Sequence, residues 1–95
     1  MPKGYVVAAI RVHDRDGYER FKAAAGAAIA AHGGKVLVRD PQPERREGGL
    51  DGIAVVIEFD SLDAARRFYE SPEYTAARKL RETAAETDLL IAEGV

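Results

Sequence analysis

The chain has 95 residues, 46% hydrophobic and 32% charged, with 14 basic against 16 acidic side chains and a formal net charge of −2. A length this short predicts one domain spanning 1–95 that buries roughly 60–65% of the surface its unfolded form exposes. The absence of Cys excludes disulfides and thiolate metal sites. The acidic balance and the lack of a basic stripe argue against nucleic acid. No apolar run approaches the roughly 20 residues of a membrane span, and the opening MPKGYVVAAIRV lacks the form of a signal peptide. The expectation is a soluble, cytoplasmic protein.

Residues 4–12, GYVVAAIRV, are β-branched and aromatic and predict a strand. Alternation puts Val6, Ala8, Ile10 and Val12 on one face, and Tyr5, Val7, Ala9 and Arg11 on the other. Residues 16–32 predict a helix, capped by Asp14 or Asp16, with Tyr18, Phe21, Ala25, Ala28, Ile29 and His32 as its buried stripe. Gly33 and Gly34 end it. KVLVRD, 35–40, predicts a second strand with Leu37 and Arg39 on a shared face. The segment from Pro41 to Gly52, with two prolines and five charges, reads as a long hairpin connection. IAVVIEFD, 53–60, predicts a third strand: Ile53, Val55, Ile57 and Phe59 on one face, Ala54, Val56 and Glu58 on the other.

Ser61 caps the next helix, whose stripe is Leu62, Ala65, Phe68 and Tyr69. Ser71-Pro72-Glu73 restarts the helical signal as cap, first helical position and first-turn acid. The helical region therefore breaks near Ser71, and Tyr74, Ala77, Leu80 and Ala84 line its second piece. TDLLIAE, 87–93, is the last strand. The order βαββαβ with right-handed crossovers predicts an α+β, ferredoxin-like fold: a four-stranded antiparallel sheet with helices on one face.

A sheet with one wet face alternates apolar and polar residues. The first and third strands are apolar on both faces, and the helices account for one. The other would leave a large apolar patch in water. A second copy of the same sheet covers it most economically, which predicts a face-to-face twofold homodimer.

Several stretches together resemble a known family: GYVVAAIRV, YERFKAAAGAAIAAHGGKVLVR, the Glu47-Gly48 pair, VVIEFDS, AARRFYESPEYTAARKLR and the closing IAEGV. Nearly the whole chain, Gly4 to Gly94, is similar to domain of unknown function 1330, a group within the dimeric α+β barrels. The resemblance implies two ferredoxin-like subunits with sheets packed face to face and brings no established reaction. The superfamily's cofactor-free monooxygenases lean on Asn, Trp and His. This chain has no Trp and no Asn, so that set cannot be assembled.

Arg39, Glu58 and Glu93 match positions that recur in the family's pattern, and with Arg11 they are the candidates for a ligand site in the dimer cleft. An Arg beside a Glu there is either a structural ion pair or a two-pronged site for an anion. Tyr69 and Tyr74 are candidates to fill the core or a groove with the hydroxyl reaching a partner. Arg78 and Arg81 read as solvated helix charges or as a phosphate or carboxylate site. His13, beside Asp14 and Asp16, is a candidate base, although the acids already serve as caps.

Three functions remain open. The first is binding of a small acidic or aromatic metabolite in the cleft, against Arg39 and nearby Arg11. The second is a cofactor-free isomerase or lyase using Glu58 or His13 as base. The third is a structural dimer module without ligand. No cofactor and no metal is expected, and the expected partner is a second copy of the chain.

Overall fold

A computed structural model describes residues 2–95. Strand β1 (Gly4–Val12) leads into helix α1 (Arg15–Ala31). Strands β2 (Lys35–Asp40) and β3 (Ile53–Phe59) follow, then helices α2 (Leu62–Glu70) and α3 (Pro72–Glu82), and finally strand β4 (Ala85–Glu93). The sheet order is β2-β3-β1-β4, and every neighbouring pair is antiparallel. This is the ferredoxin-like α+β arrangement. Among the described residues no helix is long and apolar enough to cross a membrane.

The caps explain where the helices begin. The Asp14 carboxylate accepts from the Gly17 backbone N–H at 3.2 Å, and the Ser61 hydroxyl accepts from that of Ala64 at 3.0 Å. Ser71 serves two helices at once. Its hydroxyl donates to the Phe68 carbonyl at 2.7 Å, closing α2, and accepts from the Tyr74 N–H at 3.1 Å, opening α3. Helix α1 ends at Gly33, whose φ of 72° is the left-handed conformation that glycine adopts at little cost.

All three helices lie on one face of the sheet. Val6, Ala8 and Ile10 of β1 and Val55, Ile57 and Phe59 of β3 point toward them and are buried. Phe68 sits at the middle of the aromatic packing, with ring centroids 4.8 Å from Phe59 and 4.5 Å from Tyr74. The molecule measures 36 × 32 × 16 Å along its principal axes. A sheet and one layer of helices stand roughly 10 Å apart, so the thin dimension holds one such pair of layers.

Three details depart from the pattern expected of the sequence. In β2, Val36 pairs with Ile57 but Val38 pairs with Val56, so Leu37 is a surplus residue in a β-bulge. In α3 the third buried position after Tyr74 and Ala77 is Arg81, while Leu80 is 37% exposed. Strand β4 also begins at Ala85, two residues before the expected Thr87, because its first residues continue the ladder against Arg11 and Val12.

Candidate functional site

The helix-free face of the sheet carries Val7 and Ala9 from β1, Ala54 and Val56 from β3, Val38 from β2 and Leu90 from β4. These positions follow from the ladders, since directly paired residues point to the same side. Val7, Val38 and Leu90 are exposed, Leu90 to 55%. The β2–β3 connection leans over this face, and between loop and sheet lies a groove of about 560 Å³. Its floor includes Val7, Ala9, Ala54, Val56 and Leu90, and the loop contributes Pro43 through Glu47 and Leu50 through Gly52.

Arg11 fastens that loop. Its Nη1 lies 3.2 Å from a carboxylate oxygen of Asp88 and donates to the Asp51 carbonyl at 3.2 Å. Two further pairs, Arg45 with Asp51 and Arg46 with Glu44, brace the loop internally. Gly52, at the return to β3, has a φ of 104°, and a Cβ there would meet the Ile10 carbonyl oxygen at 2.5 Å. Only glycine lets the chain re-enter the sheet so close to β1.

Beyond the groove on the same face, the Tyr5 hydroxyl donates to Oε2 of Glu58 at 3.0 Å. The two residues are direct partners across β1 and β3, and Lys35 of β2 faces Glu58 from the other side. The Glu58 carboxylate holds the phenol proton, and its charge opposes a phenolate, so the Tyr5 pKa is raised from its ordinary value.

The expected convergence of Arg39, Glu58 and Glu93 does not occur. Arg39 pairs with Val55, a core residue, and so lies on the helix side; the bulge at Leu37 shifts its phase by one residue. Glu93 pairs with Gly4, whose partners also face the helices, at the β4 edge. Glu58 stays on the helix-free side. Arg11 shares that side with Glu58, but Asp88 already balances its charge. His13 is exposed just past β1, its backbone N–H bonded to the Ala84 carbonyl at 2.9 Å. It stands eight residues along from Tyr5, or about 26 Å in an extended strand, so within one protomer the two candidate bases, His13 and Glu58, lie at separate places.

Tyr69 and Tyr74 belong to the helical layer. The Tyr69 hydroxyl accepts from Arg78 at 3.3 Å and that of Tyr74 accepts from Arg81 at 2.6 Å. Burial pushes the Tyr74 phenol up, and the Arg81 cation opposes that shift only in part. Between α1 and the sheet lies a cavity of about 30 Å³, lined in part by Tyr18, Lys22, Arg39, Tyr74 and Arg81. Sequence reasoning passed over Tyr18, Lys22 and Arg81 as members of one site. The steps Tyr74, Ala77, Arg81 do follow helical spacing, so the burial of Arg81 had a signal. Among the described residues no group of three or more His, Cys, Asp or Glu is placed to hold a metal ion.

Solved structures share the fold at low identity. A protein of unknown function from Rhodopseudomonas palustris aligns with a TM-score of 0.77 at 18% identity, over 99% of this chain and 83% of that one. A dimeric ferredoxin-like protein of unknown function from Bacteroides fragilis gives 0.64 at 21%, over 96% and 95%. SnoaB, a cofactor-independent oxygenase from Streptomyces nogalater, gives 0.69 at 19%, over 97% and 92%. Among curated proteins none matches. The family described as domain of unknown function (DUF1330) matches residues 3–95, and with the ferredoxin-like sheet and its three helices in place, the chain belongs to that family.

Proposed function

We propose that this protein is a single-domain, cytoplasmic homodimer, joined through its helix-free sheet faces, and that the cleft between those faces takes a small aromatic molecule. The observation that carries this reading is the apolar groove over Val7, Ala9, Ala54, Val56 and Leu90. An apolar face of this extent in water marks an interaction surface, and a twofold copy presents the same residues in return. The Bacteroides fragilis neighbour, described as dimeric, has the same fold. Of the two ligand chemistries the sequence suggests, acidic and aromatic, the groove supports the aromatic one. Arg39 stands on the other side of the sheet, and Arg11 is paired with Asp88. The rim supplies polar atoms from the loop, which suit a ring bearing a hydroxyl or carbonyl.

Light scattering on a sizing column tests the assembly. The expected mass is twice the chain's 10.3 kDa, and Val56→Asp is expected to return a folded single chain. A wild-type monomer at micromolar concentration overturns the reading. Thermal-shift measurements with phenols, aromatic lactones and quinones test the ligand: at least one is expected to raise the melting temperature, and none of them to do so for Val56→Asp.

A second reading, a cofactor-free isomerase or lyase with Glu58 as base, has one observation in its favour. Tyr5 occupies Oε2 and orients the carboxylate, while Oε1 has no protein partner among the described residues. Under that reading Glu58→Gln retains binding of a compound the parent protein converts but abolishes its turnover. Equal turnover by the variant rules the base out.

A further inference from the structure

Arg81 is a buried cation without an anion. It is 7% exposed, and among the described residues no carboxylate lies within ion-pair distance of it. Its known partners are neutral: Nη1 donates to the Tyr74 hydroxyl at 2.6 Å, and the guanidinium lies 5.7 Å from the centre of the Phe21 ring. A buried charge is costly unless paired, and a guanidinium has five N–H donors, of which Tyr74 takes one.

Two more cations converge on the same place. The bulge at Leu37 turns Arg39 to the helix side, where it lines the cavity between α1 and the sheet without an ion-pair partner of its own. Lys22 of α1 lines it too, 5.5 Å from the centre of the Tyr18 ring, with Glu19 as its one carboxylate contact at 2.8 Å. No acidic residue lines the cavity, whose walls are otherwise Tyr18, Tyr74 and apolar side chains such as Val55 and Leu89. Burial raises the Tyr18 pKa, and Arg39 and Lys22 pull against it, as cations placed close to the ring must.

We infer that this cavity is a binding site for the carboxylate group of a small organic acid, held between Arg81 within and Arg39 at the mouth. The available space of about 30 Å³ matches the two oxygens of a carboxylate, since about 10–15 Å³ of such volume admits one water. It is small for a tetrahedral phosphate with four. The planar guanidinium fork suits the same group. The site lies on the opposite side of the sheet from the apolar groove, and its occupation is independent of dimer formation.

The test is calorimetric titration of the full chain with sodium benzoate and sodium acetate at fixed ionic strength, with chloride and inorganic phosphate as comparison anions. Saturable binding of a carboxylate, stronger than that of phosphate, is expected. Arg39→Gln removes an exposed side chain and is expected to weaken it about tenfold or more, the loss of a charge-assisted bond. Arg81→Met is expected to abolish it. Should that variant fail to fold, Lys22→Met replaces it and is expected to weaken binding in the same direction. Val56→Asp, which disrupts the groove face, is expected to leave binding unchanged. Absence of saturable binding, tighter binding of phosphate, unchanged affinity in Arg39→Gln, or loss of affinity in Val56→Asp would each overturn the assignment.

Discussion

Tyr5 and Glu58 face each other across two central strands, and a 3.0 Å hydrogen bond runs from the phenol to Oε2. The bond and the charge of the carboxylate both favour the protonated phenol. Glu58→Gln removes the charge and weakens the acceptor, so the Tyr5 pKa is expected to fall back toward the ordinary value of about 10. Ultraviolet difference titration of the wild type and the variant, with Tyr5→Phe to assign the band, measures the change. A Tyr5 titration unaltered by the substitution would show that the contact is not made in solution.

Tyr74 gives the protein an alkaline limit. Its pKa is raised mainly by burial, and that of Tyr18 is raised for the same leading reason. A folded-state pKa above the unfolded one means that the folded chain binds the proton more tightly. The stability this contributes is fully present below the unfolded value of about 10 and is lost as pH rises through the folded value. Urea unfolding is therefore expected to give a stability that declines above pH 10. Tyr74→Phe, which has no proton to lose, is expected to flatten part of that decline.

Ser71 joins two helices through one hydroxyl, donating to Phe68 and accepting from Tyr74 while 6% exposed. Ser71→Ala leaves a buried carbonyl and a buried N–H without that partner. The expected loss is about 1–2 kcal/mol, read as a lower denaturation midpoint with an unchanged slope. A loss near zero would mean that water replaces the hydroxyl at this junction.

Gly4 and Gly26 make opposite predictions for the same substitution. A Cβ at Gly4 would sit 2.3 Å from the Ser61 carbonyl oxygen and 2.6 Å from its carbon, both backbone atoms at the start of α2. Gly4→Ala is expected to cost about 1–3 kcal/mol as β1 and α2 are forced apart. Gly26 lies exposed in the middle of α1 with nothing within 4 Å of its missing Cβ. There Gly26→Ala is expected to add about 0.5–1 kcal/mol by reducing the freedom of the unfolded chain. Thermal melts of the two variants check both signs.

Most of the architecture was legible because local signals agreed with one another. Ser61 and Ser71 are caps in the sequence and caps in the fold, and the alternation of Ile53, Val55, Ile57 and Phe59 against Ala54, Val56 and Glu58 separated the two faces of β3. The grouping of candidate ligand residues was not legible, for two physical reasons. A bulge changes which side every later residue faces, and nothing in KVLVRD marks Leu37 as the surplus one. Strand β4 is apolar on both sides, with Leu89 and Ile91 against Leu90 and Ala92, so its phase emerged only from its ladder with β1. The burial of Arg81, in the place the stripe gave to Leu80, was missed for a different reason. Charge suggested solvent where helical spacing pointed inward, and Phe21 and Tyr74 accommodate the guanidinium.

The bulge at Leu37 has a consequence for the open margins of the sheet. It lies in β2, one of the two strands at the margin of the sheet. An open margin is a template on which another strand can add, and repeated addition makes fibres. The irregular spacing at Leu37, with Lys35, Arg39 and Asp40 around it, spoils that template. The opposite margin, β4, carries Glu86, Asp88 and Glu93, which repel a like-charged neighbour. Growth sideways is discouraged at both margins of the sheet.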